Sequence, residues 1–560
     1  MTAILLWVGA AAILLVTERQ ATRPAFALLA FAFLTACCLL VVGDEERATL
    51  LALILALTIV GASAVKHHHS GMKLAVADLG LTFAGTIPFM LRQYRRTATL
   101  TIAGAVLLFL AALATLALVR GAPYPFTSRL LILGLTAVAL YALWRANGGT
   151  AYRTDVTQQK RFFSFFIASL VDVASWWPTG GLRMLDVAAT PLPLAAPIAA
   201  RSDIRPDIIV IQHESVFDPR LFGLPVDDGI AEFLTPKDAP HGTLHVDIYG
   251  GGSWQTEFSL LTGLSSASFG PDSYFLFKKG VGRFRHSLPS ELAQLGYRTM
   301  LSTSCRREFM NYNAFYAGIG VAERVFSDDF PPPFDLASFE VNNSDAAFFA
   351  ATRGALERSI DRDPAPRFLM ALTNFNHGPH ETRLVPAGRY EEARRFATAA
   401  LPDANYGEYY ARMTETAESY AAFKAALKRR YPERPMLIVR YGDHQPTLTR
   451  AIEEARGIAS DDPRQFETFY AIEGINFEPK LASVPARLDI AMLGTVALQA
   501  SGLPLDAVSA TRASLIGECG ALYIATPSER KNRFHRALID QGLIELGRTT
   551  PQASGVPERA

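Results

Sequence analysis

Hydroxyl, carboxylate and imidazole groups follow strand-like segments in the second half of this 560-residue chain. Glu214 comes at the end of the apolar run DIIVIQHES, and Asp443 and His444 end the run PMLIVRYGDHQP. Ser253 follows three glycines in YGGGSWQTEFSLLTGL, where an amphipathic helical pattern begins. Two carboxylates, an imidazole and an alkoxide are ligands that suit Mn²⁺, Mg²⁺ or Zn²⁺. The pattern indicates one divalent cation that lowers the pKa of a serine nucleophile.

Each of these segments also has a simpler interpretation. A serine after glycines at the start of a helix is commonly an N-cap, and a single glutamate after a strand is commonly a solvated loop residue. A further segment, RFLMALTNFNHGPH, places His377 and His380 after another strand. Either imidazole could bind a phosphate oxygen or protonate a leaving group.

A parallel sheet is the element that would bring these residues together, because open α/β sheets bind ligands at the carboxyl ends of their strands. From Asp207 onward, short apolar runs alternate with helical patterns, and this alternation predicts an α/β domain. We expect a mainly parallel sheet flanked by helices. The predicted strands are DIIVIQ, RTMLSTS, RFLMALTNF, PMLIVRYG and ALYIAT.

Long apolar runs are confined to the first quarter of the chain and indicate an α-helical transmembrane region, since a spanning helix needs about 20 apolar residues. A sixth stretch, Leu74 to Leu91, contains Asp78 and Pro88, so five or six spans are predicted. The five clear runs are Ala3 to Val16, Ala25 to Val42, Ala48 to Val65, Leu100 to Val119 and Leu130 to Leu143. The net charge of +1 gives no support for nucleic acid as a partner.

The predicted organisation therefore has four parts. Residues 1–146 form the multi-pass membrane region, and residues 147–204 form a linker that includes most of the proline-rich stretch from Thr190 to Pro206. Within this linker, Arg161 to Pro178 predicts a helix on the membrane surface, with an ordinary buried helix as the alternative. Residues 205–546 form the catalytic domain, and residues 547–560 form a flexible tail.

The order of the motifs resembles the alkaline phosphatase and sulfatase superfamily, in its branch of lipoteichoic acid synthase-like phosphoglycerol transferases. The shared features are a strand followed by Glu214 and Ser215, GGGS-x-x-x-EF-x-x-LTG from Gly250 to Gly263, NH-x-P from Asn376, and GDH ending at His444. The resemblance implies that Glu214, Ser253, Asp443 and His444 bind one metal ion, most often Mn²⁺. It also implies that residue 253 is the nucleophile and that His377 binds substrate.

Two departures from the family pattern affect these expectations. The family usually has threonine as its nucleophile, so Thr256 is a rival to Ser253, although Ser253 fits the spacing to the EF and LTG landmarks. FMNY, from Phe309 to Tyr312, resembles the family's head-group segment F-W-N-R, but methionine and tyrosine replace its tryptophan and arginine. We therefore include Asn311, Tyr312 and a compensating Arg306 among the predicted substrate-binding residues.

The resemblance implies transfer of phosphoglycerol from phosphatidylglycerol to a glycan or lipid acceptor of the cell envelope. The catalytic domain would then lie on the extracytoplasmic, periplasmic side of the inner or plasma membrane. Phosphoethanolamine transfer from phosphatidylethanolamine uses the same chemistry and remains the alternative. A sulfatase or phosphodiester hydrolase is disfavoured, because sulfatases of this superfamily carry C/S-x-P-x-R and here Ser253 precedes Trp254, Gln255, Thr256 and Glu257.

Overall fold

A computed structural model describes residues 2–18, 24–70, 73–76, 78–79, 91, 95–146, 161–176, 181–335, 342–459, 462–481 and 483–547. The chain divides into two compact units, Met1–Thr179 and Gly180–Ala560. The predicted tail from residue 548 onward lies outside the described residues.

Helices joined by short connections make up the described part of the first unit. Its apolar runs form helices because their backbone groups can bond within the helix while aliphatic side chains cover it. The helices are α1 Thr2–Thr17, α2 Pro24–Val42, α3 Glu45–Ser70, α4 Arg95–Leu118, α5 Phe126–Ala146 and α6 Phe162–Trp176.

Four of these helices, α2 to α5, are long and apolar enough to cross a membrane. The predicted total of five or six spans stays a prediction. Helix α1 has 16 residues, so at 1.5 Å per residue it is shorter than the hydrocarbon core of about 30 Å. Much of the sixth candidate, Leu74 to Leu91, lies outside the described residues.

Helix α6, predicted to lie on the membrane surface or to be an ordinary buried helix, packs within its own unit. Its residues Phe163, Phe166 and Ile167 are buried in one apolar cluster with side chains of α1, α2, α3 and α5. Glu18 accepts hydrogen bonds from the N–H groups of Phe163 and Ser164 at the start of this helix. This packing agrees with the buried alternative, and a membrane-surface role stays a prediction.

The second unit is built on an eight-stranded mixed sheet in the order β4-β3-β5-β1-β6-β7-β2-β8. Five of its strand pairings are parallel, and β7 pairs antiparallel with β6 and β2. The predicted α/β fold with a mainly parallel sheet is confirmed. The strands are β1 Asp207–His213, β2 His241–His245, β3 Arg298–Thr303, β4 Glu323–Val325, β5 Arg367–Leu372, β6 Met436–Gly442, β7 Glu467–Ile475 and β8 Arg487–Asp489.

Helices cover both faces of this sheet. They are α7 Asp228–Leu234, α8 Trp254–Thr262, α9 Leu276–Lys279, α10 Leu288–Gln294, α11 Tyr312–Gly318, α12 Asp345–Arg362, α13 Glu391–Ala400, α14 Ala404–Arg430, α15 Thr449–Arg456, α16 Ile490–Ser501, α17 Ala507–Cys519 and α18 Glu529–Asp540. Ile209 and Ile211 of β1 pack with residues of α7, α12 and α14 in the main apolar core. Their neighbour Gln212 points to the opposite face, where α8 lies, because side chains alternate along a strand.

Four of the five predicted strands are confirmed as β1, β3, β5 and β6, but the prediction of a strand at ALYIAT is wrong. Residues 521–526 form turns. The ammonium group of Lys531 donates hydrogen bonds to the carbonyl oxygens of Tyr523 and Thr526, and Asp489 accepts from the Tyr523 N–H. Side chains thus take the backbone groups that a neighbouring strand would need.

The proline-rich stretch predicted as a linker is extended and lies on the second unit. Ile198 exchanges two backbone hydrogen bonds of 2.9 Å with Leu505, and the N–H groups of Ala188 and Leu192 donate to residues of α18. The proposed boundaries at residues 146, 204 and 546 stay predictions.

Candidate active site

The register of the two central strands places the first two candidate ligands side by side. His213 of β1 pairs with Gly442 of β6, so Glu214 and Asp443 are the next residues on two adjacent parallel strands. Gly442 allows this close approach, because a Cβ atom there would lie 1.8 Å from the Val216 carbonyl oxygen. The sheet itself therefore sets the separation of the two carboxylates.

Asp443 is fixed through one carboxylate oxygen only. Its Oδ1 atom accepts hydrogen bonds from the N–H groups of Ser215 at 2.7 Å and His444 at 2.9 Å. Ser215 adopts a φ of 55°, a costly conformation for a residue with a side chain, and its hydroxyl donates to Glu214 Oε1. The Asp443 Oδ2 atom is buried without a hydrogen-bond partner, which is costly for a carboxylate unless a cation or proton occupies the site.

His444 completes the cluster. Its Nδ1 atom lies 3.0 Å from the Gln445 carbonyl oxygen, which can only accept, so Nδ1 carries a proton. Its Nε2 atom lies 3.5 Å from both Glu214 Oε1 and Asp443 Oδ2. The ligand atoms of these three buried residues all lie within 4.8 Å of one another.

Ser253 joins this cluster from the start of α8. Its Oγ atom lies 3.1 Å from Glu214 Oε2 and 3.4 Å from His444 Nε2. The hydroxyl makes no capping hydrogen bond to its helix, so the N-cap interpretation does not explain it. Gly250, Gly251 and Gly252 all have positive φ angles, which turn the chain sharply into the helix.

The charges in this cluster are strongly coupled. Burial, followed by the negative charge of Glu214, raises the pKa of Asp443 to about 7. Burial lowers the pKa of His444, but the carboxylates of Asp443 and Glu214 outweigh it, so the net shift is upward. A divalent cation would relieve the repulsion between the two carboxylates and would give the Asp443 Oδ2 atom the partner that it lacks. The donor set of two carboxylates, one imidazole and one hydroxyl fits such a cation.

Thr256, the rival nucleophile, points elsewhere. Its hydroxyl is fully buried and donates to the backbone carbonyl of Asp443 at 2.9 Å. This contact supports the loop that carries the candidate metal ligands Asp443 and His444.

The predicted substrate histidines lie on the loop after β5. The Nδ1–H group of His377 donates to the Gly378 carbonyl at 2.6 Å, which leaves Nε2 as the acceptor nitrogen of the neutral ring. Burial, together with the positive charge of His444, lowers the pKa of His377 to about 4. His380 lies deeper, with Nε2 3.0 Å from the Asn376 carbonyl and its ring against Tyr409. Its role in binding substrate stays a prediction.

Two side chains of the FMNY segment form hydrogen bonds to other residues of the same domain. Tyr312 is buried, and its hydroxyl donates to Glu257 at 2.6 Å, while the Asn311 side chain donates to the Phe277 carbonyl at 2.7 Å. Arg306 is half-buried in the loop after β3. Substrate contacts by these three residues stay predictions.

Sequence reasoning missed a buried network that begins at Glu257. This carboxylate of α8 accepts hydrogen bonds from Tyr312, Tyr316 and Gln212. Tyr441 of β6 donates to Gln212 of β1 at 2.6 Å. Burial raises the pKa of Glu257 to about 7. The network ties the start of α8 near Ser253 to the two strands that end next to the candidate ligands Glu214 and Asp443.

Comparison with known proteins agrees with this geometry. Residues 206–470, which include all four residues of the cluster, match the Sulfatase family. These residues form a sulfatase-family domain. Over 314 residues the chain is 22% identical to an uncharacterized protein of Haemophilus influenzae, and the match covers 54% of this chain and 55% of that protein. The chain thus spans about half the length of the curated relative it matches.

Solved structures similar to this chain include transferases of two kinds. The Streptococcus pyogenes phosphoglycerol transferase GacH, solved with sn-glycerol-1-phosphate, is 16% identical, with 61% of this chain and 86% of that chain covered and a TM-score of 0.46. The Neisseria meningitidis lipooligosaccharide phosphoethanolamine transferase EptA is 12% identical, with 85% and 84% covered and a TM-score of 0.49. Because both TM-scores lie below 0.5, neither likeness identifies the substrate of this chain.

Proposed function

We propose that this protein transfers a phosphoglycerol head group from phosphatidylglycerol to a glycan or lipid acceptor of the cell envelope through a phosphoserine at residue 253. The observation that carries the proposal is the position of the Ser253 hydroxyl. It lies at the start of a helix that it does not cap, within 3.4 Å of a buried carboxylate and a buried imidazole. A hydroxyl held in this way is suited to nucleophilic attack.

In the first half-reaction, Ser253 Oγ attacks the phosphorus atom of the lipid. A bond forms from Oγ to phosphorus, the bond from phosphorus to the diacylglycerol oxygen breaks, and that oxygen takes up a proton equivalent to the one that Ser253 releases. Glu214 Oε2, which already accepts the Ser253 hydrogen bond, lies in place to receive this proton. In the second half-reaction, the acceptor hydroxyl attacks phosphorus, and Oγ leaves and regains a proton.

Glu214, Asp443, His444 and Ser253 are the residues that would hold a divalent metal ion, for which we propose Mn²⁺ over Mg²⁺ or Zn²⁺. When bound, such an ion supplies positive charge that lowers the pKa of the serine hydroxyl and stabilises the phosphoryl oxygens. The buried, unpartnered Asp443 Oδ2 atom supports this assignment.

Glycerol phosphate is the head group that we propose. The neutral form of His377, with Nε2 as a hydrogen-bond acceptor, suits a ligand that carries hydroxyl donors, as glycerol phosphate does. Phosphatidylethanolamine also offers a donor in its ammonium group and remains the alternative. The membrane helices and the lipid donor support a catalytic domain on the periplasmic side, where envelope acceptors are found.

The test is to incubate purified Ser253→Ala, Ser253→Thr and Thr256→Ala variants with labelled phosphatidylglycerol or phosphatidylethanolamine. Ser253→Ala should lose the labelled phosphopeptide and all turnover, whereas Ser253→Thr should retain activity because it keeps a hydroxyl. Thr256→Ala should form the same labelled peptide as the unmodified protein. Label on Thr256, or full turnover by Ser253→Ala, would exclude the proposed nucleophile. The lipid that gives the label identifies the head group.

A further inference from the structure

One turn of helix α14 contacts the two loops that carry the metal ligands and the substrate histidine. Glu408, Tyr409 and Arg412 lie on this turn, and each is at most 1% exposed. Side chains four residues apart share one face of a helix, and the intervening tyrosine lies beside them. All three side chains make hydrogen bonds to backbone atoms of the loops after β1 and β5.

Tyr409 holds the loop that follows Glu214. Its hydroxyl donates to the Ser215 carbonyl at 3.0 Å and accepts from the Phe217 N–H at 3.4 Å. Ser215 is the residue in the left-handed conformation whose N–H and hydroxyl bind the two metal-ligand carboxylates. The Tyr409 contact therefore stabilises a strained residue that positions both Glu214 and Asp443.

Arg412 binds carbonyl oxygens of the loop that follows β5 and carries His377. Its guanidinium donates to the carbonyls of His377 at 2.9 Å and Thr382 at 2.5 Å, with longer contacts to those of Phe375 and Pro379. Five N–H donors in one plane allow a single side chain to bind several carbonyl oxygens, and lysine cannot reproduce this fork.

Glu408 completes the attachment from the other side of the loop. Its Oε1 atom accepts from the N–H groups of Leu384 and Val385 at 2.8 and 3.1 Å, and from Arg412 Nε at 3.1 Å. Arg394 donates to its Oε2 atom. Both charges of the buried pair are thus used by hydrogen bonds to the loop, which is the condition under which a buried ion pair is tolerated.

We propose that this turn of α14 is a positioning element with two separable tasks: Tyr409 positions the metal ligands, and Arg412 positions His377 toward the substrate. The inference rests on the proposed transfer reaction for its substrate half. Its metal half is independent of that reaction, because cation binding requires no turnover.

The experiment compares Tyr409→Phe and Arg412→Lys in the full-length protein in detergent micelles. Tyr409→Phe should weaken Mn²⁺ binding, measured by calorimetry, about tenfold, as loss of an outer contact to a metal site does. Its KM for the lipid donor at saturating Mn²⁺ should be unchanged. Arg412→Lys should raise the KM about tenfold or more and leave the Mn²⁺ dissociation constant within about twofold, since small displacements of a binding group are costly.

Arg430→Lys is the matched control. It makes the same change at the end of the same helix, where Arg430 forms an exposed ion pair with Asp361. Arg430→Lys should change neither the Mn²⁺ dissociation constant nor the KM for the lipid donor. Hydrogen exchange of residues 375–385 provides a second measurement that needs no turnover, and it should accelerate in Arg412→Lys but not in Tyr409→Phe.

Equal effects of both variants on Mn²⁺ affinity and on KM, or no effect of Tyr409→Phe on Mn²⁺ affinity, would overturn the division of tasks. If the unmodified protein turns over neither lipid, the proposed function fails. The calorimetric and exchange results then still decide the inference: it is overturned if Tyr409→Phe binds Mn²⁺ normally or if Arg412→Lys leaves the exchange of the loop unchanged.

Discussion

Replacing Asp443 by asparagine should stabilise the metal-free protein while it abolishes transfer. In the folded domain, burial and the charge of Glu214 raise the pKa of Asp443 from 3.8 to about 7. The folded protein therefore binds a proton that the unfolded chain has released between about pH 4 and pH 7, so stability falls as pH rises through this window. Asparagine has no such proton, and the variant should not show this loss.

The magnitude follows from the shift of about three pH units, at about 1.4 kcal/mol per unit, which gives an upper limit of about 4 kcal/mol above pH 7. The amide oxygen can still accept from the N–H groups of Ser215 and His444, but these bonds lose their charge assistance and about 1 kcal/mol. The net gain should be about 2–3 kcal/mol near pH 8 and close to zero near pH 4.

Thermal unfolding in detergent with a chelator, at about pH 4 and about pH 8, measures this gain. Glu473→Gln is a control of opposite sign. Burial raises the pKa of Glu473, but Arg440 and Lys424 outweigh burial and lower it to about 2, so its stabilisation is present at neutral pH and is lost only in acid. The Glu473→Gln variant should unfold at a lower temperature than the unmodified protein near pH 8. An Asp443→Asn protein that is less stable than the unmodified one near pH 8, or equally stabilised at both pH values, would refute the reasoning.

Three further predictions concern the buried network, the metal and the topology. Tyr316→Phe removes a hydroxyl that donates to the buried Glu257 carboxylate at 2.6 Å and should cost about 1.5–3 kcal/mol, measured by denaturant unfolding. A chelator should abolish transfer and Mn²⁺ should restore it, with restoration absent in His444→Ala; activity that persists in the chelator would exclude the metal site. A reporter enzyme fused after Gly547 should be active only outside the cytoplasm, and a cytoplasmic signal would contradict the proposed substrate class.

The centre of the sheet could be predicted from the sequence, but its outer strands could not. β1, β5 and β6 are mostly apolar because both faces of the sheet are covered there, whereas β3 has only Met300 and Leu301 as its apolar centre. β7 carries Glu467 and Glu473 within its length, and the latter is buried only because Arg440 and Lys424 pair with it. β2, β4 and β8 have five or three residues, too few to show a periodicity.

The candidate ligands could be named from motifs, but their supports could not. Glu214, Ser253, Asp443 and His444 stand in short, recognisable segments next to glycines or strand ends. Arg412 and Tyr409 lie within a polar helical pattern of 27 residues, where an arginine is indistinguishable from a solvated surface residue. Only the return of α14 across the two loops shows that these side chains are buried and what they bind.

The pairing of β1 with β6 determines how the candidate metal site would be lost on heating. The two strands that precede the candidate ligands Glu214 and Asp443 are adjacent in the middle of the sheet and are buried along their whole length. Such strands open only with the cooperative unit as a whole, so their amide protons should be among the slowest in the chain to exchange with solvent. Glu214 and Asp443 directly follow the last pair of that ladder, so their backbones stay together while it is intact. Separation of these two strands and loss of the sheet should therefore be a single event on heating.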